Sequence, residues 1–140
     1  MSNWLMAGIA LVATLGFSGL ATAEEDPPID CDNAQVQAEM NICAYRDFEA
    51  ADKELNAQYK KTRAAMVEMD AMYEPEQRGA EKALLKAQRA WIEYRDGHCE
   101  AYGFEAHLGS MEPMLVSGCQ AELTRTRTRE LKALAEGMAN

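Results

Sequence analysis

Apolar side chains recur at every third or fourth position from about residue 36 onward, which is the spacing of one face of an α-helix. The first such stripe consists of Met40, Ala44, Phe48, Ala51, Leu55, Tyr59, Thr62, Met66 and Met69. It ends before Pro75, because proline lacks the amide hydrogen that a helix interior needs and biases Glu74 away from helical geometry. The pattern therefore predicts a long first helix.

Two further stripes predict a second and a third helix. The second helix is expected to start near Pro75 or Glu76, since proline is accepted in a first turn. Its stripe consists of Ala80, Leu84, Ala87, Trp91, Tyr94, His98 and Tyr102, widened by Leu85, Ile92 and Cys99. Residues 103–113 predict a loop, because glycine, serine and proline cluster there. The third stripe consists of Leu115, Cys119, Leu123, Thr126, Glu130, Leu134 and Met138, with Leu131 close to it.

The only alternation of strand type is the short run at residues 124–129, and it lies inside a helical stripe. The sequence therefore predicts an all-α fold with one small helical domain at residues 34–138. We expect three helices, of which the second and third form a hairpin.

The first 23 residues predict a cleaved secretory signal peptide. They contain no Asp, Glu, Lys or Arg, and they end in Ala21-Thr22-Ala23, which fits an A-x-A cleavage site. A retained membrane anchor is disfavoured because Gly8, Gly16 and other small or polar residues dilute the apolar run. A lipoprotein is disfavoured because Cys31 does not follow a lipobox. Residues 24–33 are expected to form a flexible polar leader, and the mature chain is expected not to enter the membrane.

Charge narrows the range of partners. Removing residues 1–23 from the 140 leaves 117, and the net charge of −9 lies entirely in this mature part. Nucleic acid is excluded as a partner, because binding it needs a basic surface. An acidic domain is steered toward cationic partners, although the same charge also serves plain solubility.

All four cysteines lie in the exported part, so an even count in an oxidising compartment predicts two disulfides. Cys31 and Cys43 can pair only if the helix starts near residue 36, because twelve helical residues would separate them by about 18 Å. A hairpin of the second and third helices would bring Cys99 level with Cys119. We therefore favour Cys31–Cys43 with Cys99–Cys119; the crossed pairings would instead tie the first helix to the hairpin.

Metal, cofactor and enzyme chemistry are all disfavoured. His98 and Cys99 are adjacent and His107 is nearby, but no spacing of zinc-ligand type is present. The two histidines lie in no nucleophile elbow, P-loop or metal motif. We expect no metal, no cofactor and no catalytic activity.

Read together, the motifs resemble a known family. They are Asp52-x-Glu54-Leu55-Asn56-x-x-Tyr59, and Ala87-Gln88-Arg89-Ala90-Trp91-Ile92-x-Tyr94-Arg95-Asp96-x-x-Cys99, with Cys31 and Cys43 before them and Cys119 after them. In this combination they resemble the lysozyme inhibitor LprI family over about residues 31–134. The resemblance implies an all-helical, disulfide-stapled domain in the bacterial periplasm or outside the cell. It also implies lysozyme, or another cationic cell-wall hydrolase, as the partner.

The sequence departs from that family at two places. Val36 stands where the family often has a threonine that caps the first helix, so we expect this helix start to be less well capped. Leu108-Gly109-Ser110 stands where the family has Gly-Gly-Ser. We expect a stiffer and more apolar loop here, and a different choice of target if the loop is the inhibitory element.

These observations predict a stoichiometric inhibitor that blocks the cleft of a basic lysozyme. The candidate contact element is the loop at 103–113, with Phe104, Glu105, His107 and Ser110 as partner-binding residues. The loop could equally be an ordinary connection between helices. The alternative function is a periplasmic helical protein-interaction module without effect on lysozyme.

The remaining motif residues are expected to be structural. Polar side chains on facing helices commonly form a buried network that fixes register, which we prefer to a binding site. The residues in question are Asp52, Asn56, Gln88, Arg89 and Arg95. Trp91 is expected to be a core anchor. The basic run of Arg125, Arg127 and Arg129 is expected to pair with acidic neighbours or to face water.

Overall fold

The computed structural model describes residues 29–137, which form three α-helices. They are α1 (Gln37–Ala71), α2 (Ala80–Gly103) and α3 (Glu112–Gly137), with 3₁₀ turns at Pro75–Gln77 and Phe104–Ala106. No strand is present in this part of the chain, so the all-α prediction is confirmed. The predicted signal peptide, the first residues of the leader, and Met138 lie outside the described residues.

The helices run up, down and up along one axis. α1 and α3 are parallel, because Asp47 of α1 pairs with Arg125 of α3, and Thr62 bonds to Leu131 further along both helices. Short connections reverse the chain on either side of α2, so the predicted hairpin of the second and third helices is present. The broadest contact is nevertheless between α1 and α3.

A small apolar cluster holds the three helices together. Leu55 and Met66 of α1, Leu84 of α2 and Leu131 of α3 are buried against one another, and Tyr59, Ala80 and Trp91 pack around them. Elsewhere the helices meet through small or hydroxyl-bearing residues that are almost fully buried: Ala51, Thr62, Ser117, Ala121 and Thr124. Such residues let the helix backbones approach closely, and buried hydroxyls need partners. Thr62 Oγ1 donates to the backbone carbonyl of Leu131 at 2.8 Å.

The buried faces of α2 and α3 differ from the predicted stripes. On α2 the buried residues are Leu84, Gln88, Arg95, Cys99 and Gly103, and on α3 they are Ser117, Ala121, Thr124 and Leu131. The predicted stripe residues Tyr94, Tyr102 and Leu134 are exposed. The predicted stripes consist mainly of large apolar side chains, whereas close packing between these helices selects small residues and hydrogen-bonding side chains.

The start of the second helix was also predicted too early. Residues Pro75–Gln77 form a separate 3₁₀ turn, and α2 begins at Ala80. The Asp70 carboxylate, near the end of α1, accepts hydrogen bonds from the backbone N–H groups of Gly79 and Ala80 at 2.8 Å and Glu81 at 3.1 Å. These donors have no partner inside a helix, so a carboxylate at this end satisfies them and complements the helix dipole. The same bonds, that from Gly79 foremost, lower the pKa of Asp70.

The start of α1 lacks a side-chain cap, in keeping with Val36 at the N-cap position. Glu39 reaches back to the Gln35 N–H at 3.3 Å, and the Cys31–Cys43 disulfide folds the preceding segment along the first turns. The second disulfide joins Cys99 to Cys119, so both bonds match the favoured pairing. No helix within residues 29–137 combines the length and the apolar character that crossing a membrane requires.

We predict that Asp70→Ala lowers the melting temperature of the oxidised protein at pH 7, because three backbone donors lose their acceptor. A carboxyl whose pKa is lowered by folding stabilises the protein above its unfolded-state pKa of about 4 and stops doing so as pH falls through the folded value. The deficit of the variant should therefore shrink below pH 4 in thermal unfolding followed by circular dichroism. Glu68→Ala removes a carboxylate from the same end of α1 as a control. An equal deficit in both variants would contradict the capping role.

Candidate functional site

The connection between α2 and α3 forms a compact loop at one end of the bundle, at residues 104–111, which we call the tip loop. It is shorter than predicted, because Gly103 ends α2 and Pro113 lies in the first turn of α3. The Cys99–Cys119 disulfide joins the two helices below the loop, with Cys99 fully buried. The loop is therefore closed at its base by a covalent bond.

Close packing at the base requires Gly103. A Cβ atom at this position would lie 2.5 Å from Cγ2 of Val116, and 3.5 Å from Cγ of Glu112. The missing side chain lets the end of α2 lie directly against the first turns of α3. The first residues of the tip loop then form the 3₁₀ turn Phe104–Ala106.

One carboxylate organises the middle of the tip loop. Glu112 Oε2 accepts a hydrogen bond from the backbone N–H of Leu108 at 3.0 Å, and Glu112 Oε1 lies 3.3 Å from His107 Nδ1. The Gly109 N–H donates to the carbonyl of Ala106 at 2.8 Å. A Cβ at Gly109 would lie 2.9 Å from that carbonyl oxygen, so glycine is needed there.

The far side of the tip loop is attached to α1. Asn41 Nδ2 donates to the backbone carbonyl of Ser110 at 2.9 Å, and Gln37 donates to Asn41 Oδ1 at 2.9 Å. The loop is thus tied to all three helices: to α2 through the disulfide and Gly103, to α3 through Glu112, and to α1 through Asn41. These contacts restrain the loop without a large apolar core of its own.

The tip loop presents apolar and aromatic side chains to water. Phe104 is 56% exposed, and its ring stacks on that of His107 at 4.2 Å between centroids and 8° between planes. Glu105 and Ser110 are exposed beside them. Leu108 is 90% exposed, and it is the only non-glycine residue at positive φ (62°) within residues 29–137.

The structure therefore brings the four predicted loop residues together on one exposed element, but sequence reasoning did not select the most unusual one. Leu108 was named only as a departure that makes the loop more apolar. Its left-handed backbone, which costs an L-residue about 1–2 kcal/mol, depends on bonds made by Glu112 and Ala106. The glycine that follows it was the only local signal of a tight turn.

Away from the tip loop, Arg95 forms the centre of a polar cluster between the helices. Its side chain is 8% exposed, and it donates to Asp52 at 3.1 Å and to Asp96 at 2.8 Å. The guanidinium also lies over the rings of Phe48 and Trp91, with 5.0 and 5.1 Å to the centroids. The contacts with Asp52 and Phe48 connect α2 to α1, whereas Asp96 and Trp91 lie on α2 itself.

The other predicted polar residues divide into three groups. Asn56 donates to Asp52 at 2.8 Å, next to Arg95. Gln88 accepts from Arg127 at 3.1 Å, in a separate contact between α2 and α3. Arg89 is exposed on α2, so the structure does not bring it into the cluster.

Two of the three arginines in the basic run on α3 pair with acidic side chains. Arg125 forms an ion pair with Asp47 of α1, and the hydrogen bonds that Arg125 donates to this carboxylate raise the pKa of Arg125. Arg127 pairs with Glu130 at 2.9 Å, whereas Arg129 donates to Thr126. The run therefore supports contacts within the bundle.

No group of three or more His, Cys, Asp or Glu side chains between residues 29 and 137 is arranged to hold a metal ion. His98 instead stacks on Tyr94, with 5.4 Å between ring centroids. Cys99, its neighbour in sequence, is held in the disulfide. His98 therefore lies on the exposed face of α2, and Cys99 lies on its buried face.

Comparison with known proteins identifies the family of this chain. The profile of the lysozyme inhibitor LprI family matches residues 31–131, which include both disulfides, the Arg95 cluster and the tip loop. This chain belongs to the lysozyme inhibitor LprI family. A similar protein from Rhizobium meliloti (strain 1021), described as uncharacterised, is 52% identical over 141 residues, which cover 96% of this chain and 98% of the relative. No solved structure matches the chain.

We predict that Arg95→Met lowers the free energy of unfolding by about 2 kcal/mol, because removing one partner of a buried ion pair costs ~3–5 kcal/mol and the aspartates here are partly solvated. Chemical denaturation of the oxidised protein measures the loss. Arg89→Met, on the exposed surface of the same helix, should change the stability by less than about 0.5 kcal/mol. If Arg95→Met is as stable as the wild type but no longer binds a partner that the wild type binds, Arg95 is a binding residue and not a structural one.

Proposed function

We propose that this protein is an exported lysozyme inhibitor without catalytic activity of its own, which binds the enzyme stoichiometrically and blocks its cleft with the tip loop. One observation carries the proposal: a member of this family presents an exposed and partly apolar loop that a disulfide and hydrogen bonds attach to all three helices. Inhibitors of open-cleft enzymes need such a preorganised protrusion, because ordering a mobile loop on binding would reduce the affinity.

The chemistry of the tip loop suits a lysozyme cleft. Animal-type lysozymes bind the polysaccharide in an open groove that carries two carboxyl groups. His107 Nδ1 faces the Glu112 carboxylate, so Nε2 of the neutral ring remains to accept a hydrogen bond from the protonated catalytic carboxyl group of the enzyme. The Ser110 hydroxyl is a donor on the same exposed element, and Phe104 adds apolar contact area.

Charge supports the choice of partner. The chain carries a net charge of −9, and Glu105 lies at the exposed surface of the tip loop itself. Lysozymes of animal type are basic, so opposite charge speeds the encounter between the two proteins. Another cationic cell-wall hydrolase would be attracted in the same way.

The compartment in which the chain is expected to work supports the same function. The N-terminal segment is of signal-peptide type, and two disulfides persist only where the surroundings are oxidising. Lysozyme reaches the cell wall from outside, so an inhibitor must act in the periplasm or beyond it. We infer that the mature chain works there, detached from the membrane.

Purified, oxidised residues 24–140 should reduce the lysis of cell walls by at least one class of lysozyme, saturating near one inhibitor per enzyme. The assay would titrate the protein against animal-type, goose-type and invertebrate-type enzymes. If none is inhibited while the helical spectrum and both disulfides are intact, the proposal is wrong. The chain would then be a helical interaction module for another periplasmic protein.

Replacing residues 104–110 by a Gly/Ser linker of equal length should abolish inhibition while the helices and both disulfides are retained. The matched control is Met72→Ser combined with Tyr73→Ser, which alters exposed apolar residues at the opposite end of the bundle. We expect the control to inhibit as the wild type does. Inhibition that survives the loop replacement would place the contact surface elsewhere.

The dissociation constant for a basic lysozyme should rise with ionic strength, because the Debye length falls from about 30 Å at 0.01 M to about 8 Å at 0.15 M salt. We expect weaker binding by roughly ten-fold, mainly through slower association. Binding kinetics on immobilised lysozyme measure this without interference from the salt dependence of lysis. Association rates that do not change with salt would remove charge steering from the proposal.

A further inference from the structure

The contacts that hold Leu108 in the fold do not explain why the side chain at this position is a leucine. The contacts that hold its position use its backbone: the N–H donates to Glu112, and the next residue, Gly109, closes the turn onto Ala106. The side chain itself is 90% exposed at the outer end of the tip loop. A glycine would satisfy the same backbone geometry without strain, because φ is 62°.

We propose that Leu108 is the anchor of the inhibitory loop, and that its side chain enters an apolar subsite of the lysozyme cleft and so determines which lysozymes are bound. This inference rests on the proposed function and adds the residue on which binding depends. Strained backbone at an exposed position is retained where it positions a group for contact with a partner. Exposed apolar side chains on a rigid element mark contact sites in the same way.

The surroundings of Leu108 fit an anchor in a pocket. Phe104 and Met111 in the same loop are also exposed, so the loop offers further apolar surface to a partner. Anchors of this kind lie at the centre of an interface, are surrounded by polar residues and fill a pocket of the partner. Glu105 and Glu112 supply acidic groups near the apolar side chains, which suits a partner whose pocket has a basic rim.

A lysozyme cleft offers a matching pocket. The catalytic acid of a lysozyme is a carboxyl group in an apolar pocket, which keeps it protonated at the pH of catalysis. A leucine side chain inserted next to that carboxyl group would displace water and deny the sugar its place. Lysozymes that differ in this pocket should then differ in their sensitivity to the inhibitor.

The test compares inhibition constants and melting temperatures of Leu108 variants of the full mature chain. Leu108→Gly relieves the backbone strain, and Leu108→Asn keeps a residue type that tolerates positive φ, while both remove the apolar side chain. Both should bind a sensitive lysozyme roughly 10- to 100-fold more weakly. Leu108→Gly should melt no lower than the wild type, so the loss cannot be ascribed to unfolding.

Leu108→Met tests whether apolar character is enough, and it should keep inhibition within about three-fold of the wild type. Leu134→Asn changes an exposed leucine on α3, remote from the tip loop, and should leave inhibition unchanged. If the wild type inhibits a lysozyme and both Leu108→Gly and Leu108→Asn inhibit it equally well, Leu108 is not the anchor. A wild-type chain that inhibits no lysozyme overturns the proposed function, and the anchor with it.

Discussion

The disulfide between Cys99 and Cys119 is the constraint on which the rest of this structure depends. The apolar cluster contains only four buried side chains, and it lies toward the end of the bundle that is remote from the tip loop. At the loop end, the covalent bond keeps α2 against α3. In the chain-entropy account, a closed loop of this length stabilises the fold by about 3 kcal/mol. The close contact of Gly103 with Val116 and the bonds of Glu112 depend on that fixed base.

Polar contacts hold the helices together where a larger protein would use a larger apolar core. The Thr62 hydroxyl bonds across to the α3 backbone, and Arg95 is held by two aspartates between two aromatic rings. Such contacts are directional, so they define the register of the helices more sharply than a few apolar side chains could. The motif around Arg95 is therefore explained by contacts between the helices, and the proposed partner surface, the tip loop, lies apart from it.

The sequence was sufficient for the helices and both disulfides, because these depend on local periodicity and on the spacing of cysteines. It failed where tertiary contacts decide. The start of α2 depends on Asp70, nine residues before the helix N-cap, and the buried faces depend on small residues that carry no apolar signal. The composition of the tip loop could be read from the sequence, but the left-handed backbone of Leu108 could not. It goes with hydrogen bonds that Leu108 donates to Glu112 and Gly109 donates to Ala106.

The parallel course of α1 and α3 has a practical consequence for any experiment that tethers the molecule. Asn41 near the start of α1 donates to the tip loop, so the start of α1 lies at the same end of the bundle as Leu108. The last turn of α3, at Gly137, lies at the opposite end. A surface linkage through the first turn of α1 would therefore crowd the loop, whereas a linkage through the last turn of α3 would leave it open to a large partner.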